Sequence, residues 1–219
     1  MPLKILKGAT LEKSNFSIGG SSRVSSSVVA ETSCVSELSP TFPTFFLFFG
    51  GDSISDTGNL IRERRVGPAT VYTRLPYGQD FFHRTPTGRC SNARAAGLPL
   101  LHPYKDPNGE FSHGVNFAVA GSTALRSDTL AAMRVFSRGT RSSLDVQLGW
   151  LSTYLNSTCT DHRDCVEKVQ NALFMVGEIG GNDYNFATFQ AKKSMDELRR
   201  MVPRVVEAIL NGVRVSCPN

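Results

Sequence analysis

No run of apolar residues in this 219-residue chain approaches the roughly 20 needed to span a bilayer as a helix. The nucleotide cradles GxxxxGK(S/T) and GxGxxG are missing, and no lysine opens a helix behind a glycine-rich turn, which argues against a phosphate-binding module. Basic residues interleaved with aromatics along one face are missing as well. The formal charge of +5, scattered except for the short Arg62, Arg64, Arg65 cluster, therefore reads as a solvated surface rather than a nucleic-acid footprint. The first 29 residues lack the continuous apolar stretch of a signal peptide, and no internal repeat is visible.

Cysteine is scarce at five residues, and one pair has a local logic. Cys159 and Cys165 bracket the polar "TDHRD", a loop that a disulfide can close, whereas Cys34, Cys90 and Cys217 have no obvious mate. Two sequons, Asn15-Phe16-Ser17 and Asn156-Ser157-Thr158, suit a secreted glycoprotein.

Hydrophobic residues at 40% and charged residues at 20% are those of a globular protein, and the length suits one α/β domain. Residues 1–43, rich in Ser and Gly, read as a disordered leader, and 44–219 as the folded domain. "TFFLFF" (44–49) is a short continuous apolar run, as in a strand buried on both faces. Residues 115–119 and 173–179 are the next strand candidates, and each of the three ends in Gly and small polar residues. Helical spacing of Leu144, Leu148, Leu151 and Leu155 follows Ser142 and Ser143, with Asp145 placed for a capping box. A short helix over 164–172 leads into the third strand. Ser194 and Glu197 form a second capping-box pattern ahead of Leu198, Met201, Val202, Val205, Val206, Ile209, Leu210 and Val213. Pro203 inside that stripe is expected to kink the helix. Strands alternating with helices predict a mostly parallel sheet with helices on both faces, a three-layer α/β/α sandwich.

Such sheets bind ligands at the carboxyl ends of their strands. There the sequence places Gly51-Asp52-Ser53, Ala120-Gly121-Ser122 and Gly180-Gly181-Asn182-Asp183. If the strands are neighbours, Ser53, the Gly121 amide and the Asn182 side chain meet in one crevice, a nucleophile with two oxyanion donors for acyl transfer. Blander roles exist for each: a helix N-cap for Ser53, a tight turn for Gly121, and a turn tolerant of left-handed backbone for Asn182. Asp52 and Asp183 read as structural, binding nearby backbone N–H groups and holding a loop.

These blocks resemble the plant branch of the GDSL esterase/lipases, the SGNH hydrolases. Gly51-Asp52-Ser53-Ile54 with Asp56-Thr57-Gly58-Asn59 matches the nucleophile block, "GVNFAVAGSTAL" the glycine block and "VGEIGGNDYN" the asparagine block. The likeness runs from about Phe45 to Val215, and the third block is worded most like sinapine-esterase and acetylajmalan-esterase relatives. The resemblance implies Ser53 as nucleophile, and Ser53 N–H, Gly121 N–H and the Asn182 amide as the oxyanion hole. It also implies acyl or phenolic ester substrates, no cofactor, no metal, no nucleic-acid or membrane partner, and secretion.

That family carries an Asp-x-x-His pair near its C-terminus, the base and its orienter. No such pair follows the third block before Asn219. Asp80-Phe81-Phe82-His83 has the spacing but lies between the first two blocks, where relatives carry a similar stretch in addition to their terminal pair. His102, His113 and His162 read as loop residues. "GRCSNARAAGLPLL" is also shorter than its counterpart by an apolar helix of about two turns. The expectation is a truncated or misspliced product, incomplete at its C-terminal side: an ester hydrolase by lineage or a catalytically dead, ester-binding remnant.

Overall fold

In the computed structural model the described residues are 46–63, 70–75, 77, 101–137, 139–170 and 172–216, with backbone alone at 46–49, 215 and 216. The leader, the "GRCSNARAAGLP" stretch, Asp80, His83, Cys34, Cys90 and Cys217 lie outside them.

Three strands form the sheet: β1 (Phe46–Gly50), β2 (Gly114–Asn116) and β3 (Ala172–Val176). The order is β2-β1-β3, and both pairings are parallel. Phe48 lies between Val115 and Phe174 in register, so the earliest strand is the central one. This is the α/β architecture expected of apolar runs alternating with helices. A short parallel segment extends the sheet beyond β2, where Tyr104 N–H donates to Asn116 O (2.8 Å) and Asn116 N–H to His102 O (3.1 Å).

The second strand is shorter than the expected 115–119. After Asn116 the backbone is held by side chains and loops: Asn116 Oδ1 accepts Ala118 N–H (2.8 Å) and Gly51 O accepts Val119 N–H (3.2 Å). The third stops at Val176 rather than running to residue 179, because Gly177 at φ +152° leaves the ladder.

The α-helices among the described residues are α1 (Ser127–Ala132), α2 (Leu144–Thr158), α3 (His162–Gln170), α4 (Gly181–Asn185) and α5 (Met195–Ser216), with single 3-10 turns at Leu60–Arg62 and Val71–Thr73 and a π turn at Phe186–Gln190. Gly212 of α5 packs on Leu144 and Leu148 of α2, so closely that an added Cβ would fall 2.8 Å from Leu144 Cδ2. One core joins Leu151 and Tyr154 of α2 to Val115, Phe117 and Ala172. A second joins Met201 and Val205 of α5 to Leu125, Leu130 and Val135. A helix layer thus covers the sheet.

The Ser194–Glu197 capping box forms reciprocally: Glu197 Oε2 accepts Ser194 N–H (2.9 Å) and Ser194 Oγ accepts Glu197 N–H (3.3 Å). From it α5 runs through Pro203 as one helix, and its stripe divides. Met201 and Val205 are buried, whereas Val202, Val206 and Leu210, one turn apart on the flank, remain nearly half exposed. The capping box at α2 does not form. Ser143 is the N-cap without a side-chain bond, Asp145 pairs instead with Arg126 (3.0 Å), and Ser142 Oγ donates to Glu63. The third helix starts at His162, two residues earlier than expected, which puts that histidine on a helix rather than in a loop. Cys159 and Cys165 are disulfide-bonded, closing the loop between α2 and α3. Arg62 is not simply solvated, since it pairs with Asp106 (2.6 Å) and donates to Gly58 O. Among the described residues no helix is long and apolar enough to cross a membrane.

Candidate active site

At the end of β1 the chain turns on Gly51. A Cβ there would stand 2.5 Å from the carbonyl oxygen of Gly177, so only glycine lets the ends of β1 and β3 lie flush. Asp52 N–H donates to Glu178 O (3.1 Å), fixing the turn against the third strand. Asp52 O then accepts from both Ser55 and Asp56 N–H, and Asp52 Oδ1 accepts Ile54 N–H (3.1 Å). Ser53 rides half-exposed on this tight elbow.

Beyond β2, Gly121 takes φ +86°, a left-handed backbone that glycine alone adopts without cost. Beyond β3, Asn182 sits in the first turn of α4 and reaches across both other loops. Its Nδ2 donates to Ser122 O (2.9 Å) and, at the long distance of 3.4 Å, to Asp52 Oδ2. The nucleophile, glycine and asparagine blocks thus meet at one end of the sheet.

Buried carboxylates hold the loops in place. Asp183 accepts Ala124 N–H (2.8 Å) on one oxygen and Leu125 N–H (2.9 Å) on the other, tying the asparagine block to the glycine block. Burial pushes its pKa up to about 6 against these bonds, and the charge of Asp52 pushes the same way. Asp56, equally buried, accepts N–H groups of Gly58, Asn59, Leu60 and Ala120, and burial again raises its pKa. Asp52 and Asp183 therefore play the backbone-binding roles read from the sequence.

Among the described residues, the N–H groups of Ser53 and Gly121 donate no hydrogen bond, and Ser53 Oγ bonds to no histidine. His113 is exposed in the loop before β2, and His162 lies on α3.

Three residues that sequence reasoning passed over complete the scaffold. Asn59 donates to Asn116 O (2.8 Å) and Ala118 O (2.9 Å), and its own Oδ1 accepts Lys105 N–H (2.9 Å). Asn116 Nδ2 donates to Ser55 O (2.6 Å). Gln147 grips both the N–H (2.9 Å) and the C=O (2.8 Å) of Gly51. Its signal was present in the sequence: a polar residue three after Leu144 and four before Leu151, on the apolar side of α2.

The profile of the family described as GDSL-like lipase/acylhydrolase matches residues 47–218. An acetylajmalan esterase of Rauvolfia serpentina is 47% identical over 172 residues, 75% of this chain and 44% of that protein. Acetylajmalan esterase 2 of the same plant is 45% identical over 173 residues, 75% of this chain and 47% of that protein. A GDSL esterase/lipase of Arabidopsis thaliana is 41% identical over 172 residues, 74% of this chain and 44% of that protein. The chain spans just under half the length of these curated relatives. No solved structure matches it.

Proposed function

The chain belongs to the GDSL-like lipase/acylhydrolase family, and on that footing we propose that its site hydrolyses carboxylic esters through an acyl-serine intermediate on Ser53. Ser53 Oγ attacks the ester carbonyl carbon. The tetrahedral oxyanion is received by Ser53 N–H, Gly121 N–H and Asn182 Nδ2. Collapse expels the alcohol, and water then attacks the acyl-serine to release the acid and restore the hydroxyl.

The observation that carries this reading is the pair of backbone N–H groups, on Ser53 and Gly121, left without acceptors among the described residues where three strand ends meet. Amides held ready in this way cost no reorganisation when charge develops, and a single oxyanion donor is worth about 3–4 kcal/mol of barrier. Asn182 joins them by giving up the long bond to Asp52 Oδ2. The proton on Ser53 Oγ needs a base, and the family resemblance assigns that role to the histidine of an Asp-x-x-His pair. Small acyl or phenolic esters are the proposed substrates, consistent with the esterase names of the relatives. No cofactor takes part in these steps. The proposal extends to the three-layer α/β/α arrangement and to an oxidising, secretory setting, the latter supported by the Cys159–Cys165 bond.

A second reading, ester binding without turnover, is favoured by the lack of a histidine bonded to Ser53 among the described residues. One experiment separates the two. Turnover of a short-chain p-nitrophenyl ester is measured on these 219 residues and on a form extended by a relative's C-terminal segment. The 219 residues alone are expected to give negligible turnover. The extended form is expected to hydrolyse the ester and to lose that activity on Ser53→Ala. An extended form that stays inert, or whose activity survives Ser53→Ala, overturns the esterase reading.

A further inference from the structure

Gln147 lies on the buried side of α2, 2% exposed, beside the small apolar cavity that Leu148, Leu151, Phe174 and Val176 line between the helix and the sheet. A carboxamide in such surroundings is stable only with its donors and acceptor occupied. Its short bonds go to two loops of the site. Oε1 accepts Gly51 N–H (2.9 Å). Nε2 donates to Gly51 O (2.8 Å) and Ser122 Oγ (3.0 Å), with Ser142 O at a longer 3.3 Å. Ser122 Oγ in turn donates to Ser142 O (2.6 Å). One rigid side chain therefore grips the residue two before Ser53 and the residue one after Gly121.

We propose that Gln147 is a positioning residue for the ester-cleaving site, fixing the distance between the Ser53 elbow and the Gly121 amide. The proposal rests on the esterase reading above for its chemistry, though its geometry stands apart from that reading. Gly51 is where β1 leaves the sheet, and a strand end needs a partner for both its N–H and its C=O. Gln147 supplies both from a helix. Because the same amide holds Ser122, the nucleophile loop and the oxyanion loop cannot drift apart independently. Displacements of about 1 Å at such a site cost up to about a hundredfold in rate.

Gln147→Glu is the informative substitution because it preserves shape and adds a proton switch. The protonated acid can still accept from Gly51 N–H and donate to Gly51 O. The carboxylate has no hydrogen to give and confronts the oxygens of Gly51, Ser122 and Ser142. Two quantities are read on the full chain: the rate at which a fluorophosphonate labels Ser53, localised by mass spectrometry, and the amide resonances of Gly51 and Gly121 in 15N–1H spectra.

Q147E is expected to label about ten- to a hundredfold more slowly than the parent at neutral pH. It should recover as the pH falls through the carboxyl's titration, with the Gly51 resonance moving over the same range. Gln147→Met should lose labelling without acid recovery. Ser122→Ala, which keeps the Gly51 grip, should shift the Gly121 resonance and leave Gly51 in place. Should the Gln147 variants fail to fold, the Ser122→Ala spectrum decides. Parental labelling and an unmoved Gly51 resonance in folded Q147E, or an unmoved Gly121 resonance in S122A, overturn the proposal. If the parent itself is not labelled at Ser53, the resonances alone decide on Gln147, and the esterase reading is decided separately by the extended form.

Discussion

The carboxyl end of the sheet and the helical rim formed by α3 and the start of α5 are built by opposite means. At the sheet end the decisive bonds join distant parts of the chain: Asn59 to Asn116 O across 57 positions, Ala120 to Asp56 across 64, Gln147 to Gly51 across 96 and Asn182 to Asp52 across 130. At the rim they are local: a disulfide spanning six positions, Lys168–Asp164 and Lys193–Glu197 four apart, and the Ser194–Glu197 box three apart. A local bond forms wherever its short segment folds. A long one requires the whole sheet, so the site inherits its geometry from the cooperative core rather than from any segment.

The largest expected effect tests that dependence at its tightest point. Gly51→Ala puts a methyl 2.5 Å from Gly177 O, where backbone must move. A loss of about 4 kcal/mol or more in urea unfolding is expected, together with loss of Ser53 labelling. Wild-type behaviour of this variant would remove the claim that β1 and β3 must lie flush.

Asp183→Asn comes next. It keeps the shape but sets an NH2 against one of the two backbone N–H donors, costing about 1–3 kcal/mol at neutral pH. The sign of its pH dependence follows from the raised pKa. With about 6 in the folded chain against an ordinary 3.8, the contribution of this group is fully present below pH 3.8. It is lost as pH rises through about 6. The parent's urea midpoint should therefore carry a downward contribution between pH 4 and 6 that the variant lacks. Identical slopes in the two proteins would contradict the burial argument.

The rim should respond less. Replacing Cys159 and Cys165 by serine opens a loop of only about seven residues and should cost about 2 kcal/mol, without slowing Ser53 labelling. Ser194→Ala should cost about 1 kcal/mol through its lost cap, read as a small drop in melting temperature. A labelling defect in either variant would blur the contrast between rim and site.

The same contrast explains what could be read from the sequence. The Ser194–Glu197 box, the Cys159–Cys165 pair and the three apolar runs ending in glycine are local patterns, and each appears in the fold. The backbone-binding roles of Asp52 and Asp183 were legible because each lies within a block whose turn needs an acceptor. The partners of Asn59, Asn116 and Gln147 were not: the place of Gln147 on the apolar side of α2 signals burial, but nothing near these residues announces a partner 57 to 96 positions away. The α2 capping box failed for a related reason. Arg126 and Glu63, remote in sequence, took the side chains of Asp145 and Ser142 that a local rule had assigned to the helix end.

The central claim is that the three strand-end loops present Ser53 as the reactive hydroxyl. Fluorophosphonate treatment of the 219-residue chain, followed by peptide mass spectrometry, tests it most directly. Slow modification confined to Ser53, and abolished by Ser53→Ala or Gly51→Ala, is expected. Modification of another residue, or none under conditions that label an extended form elsewhere than Ser53, would contradict it.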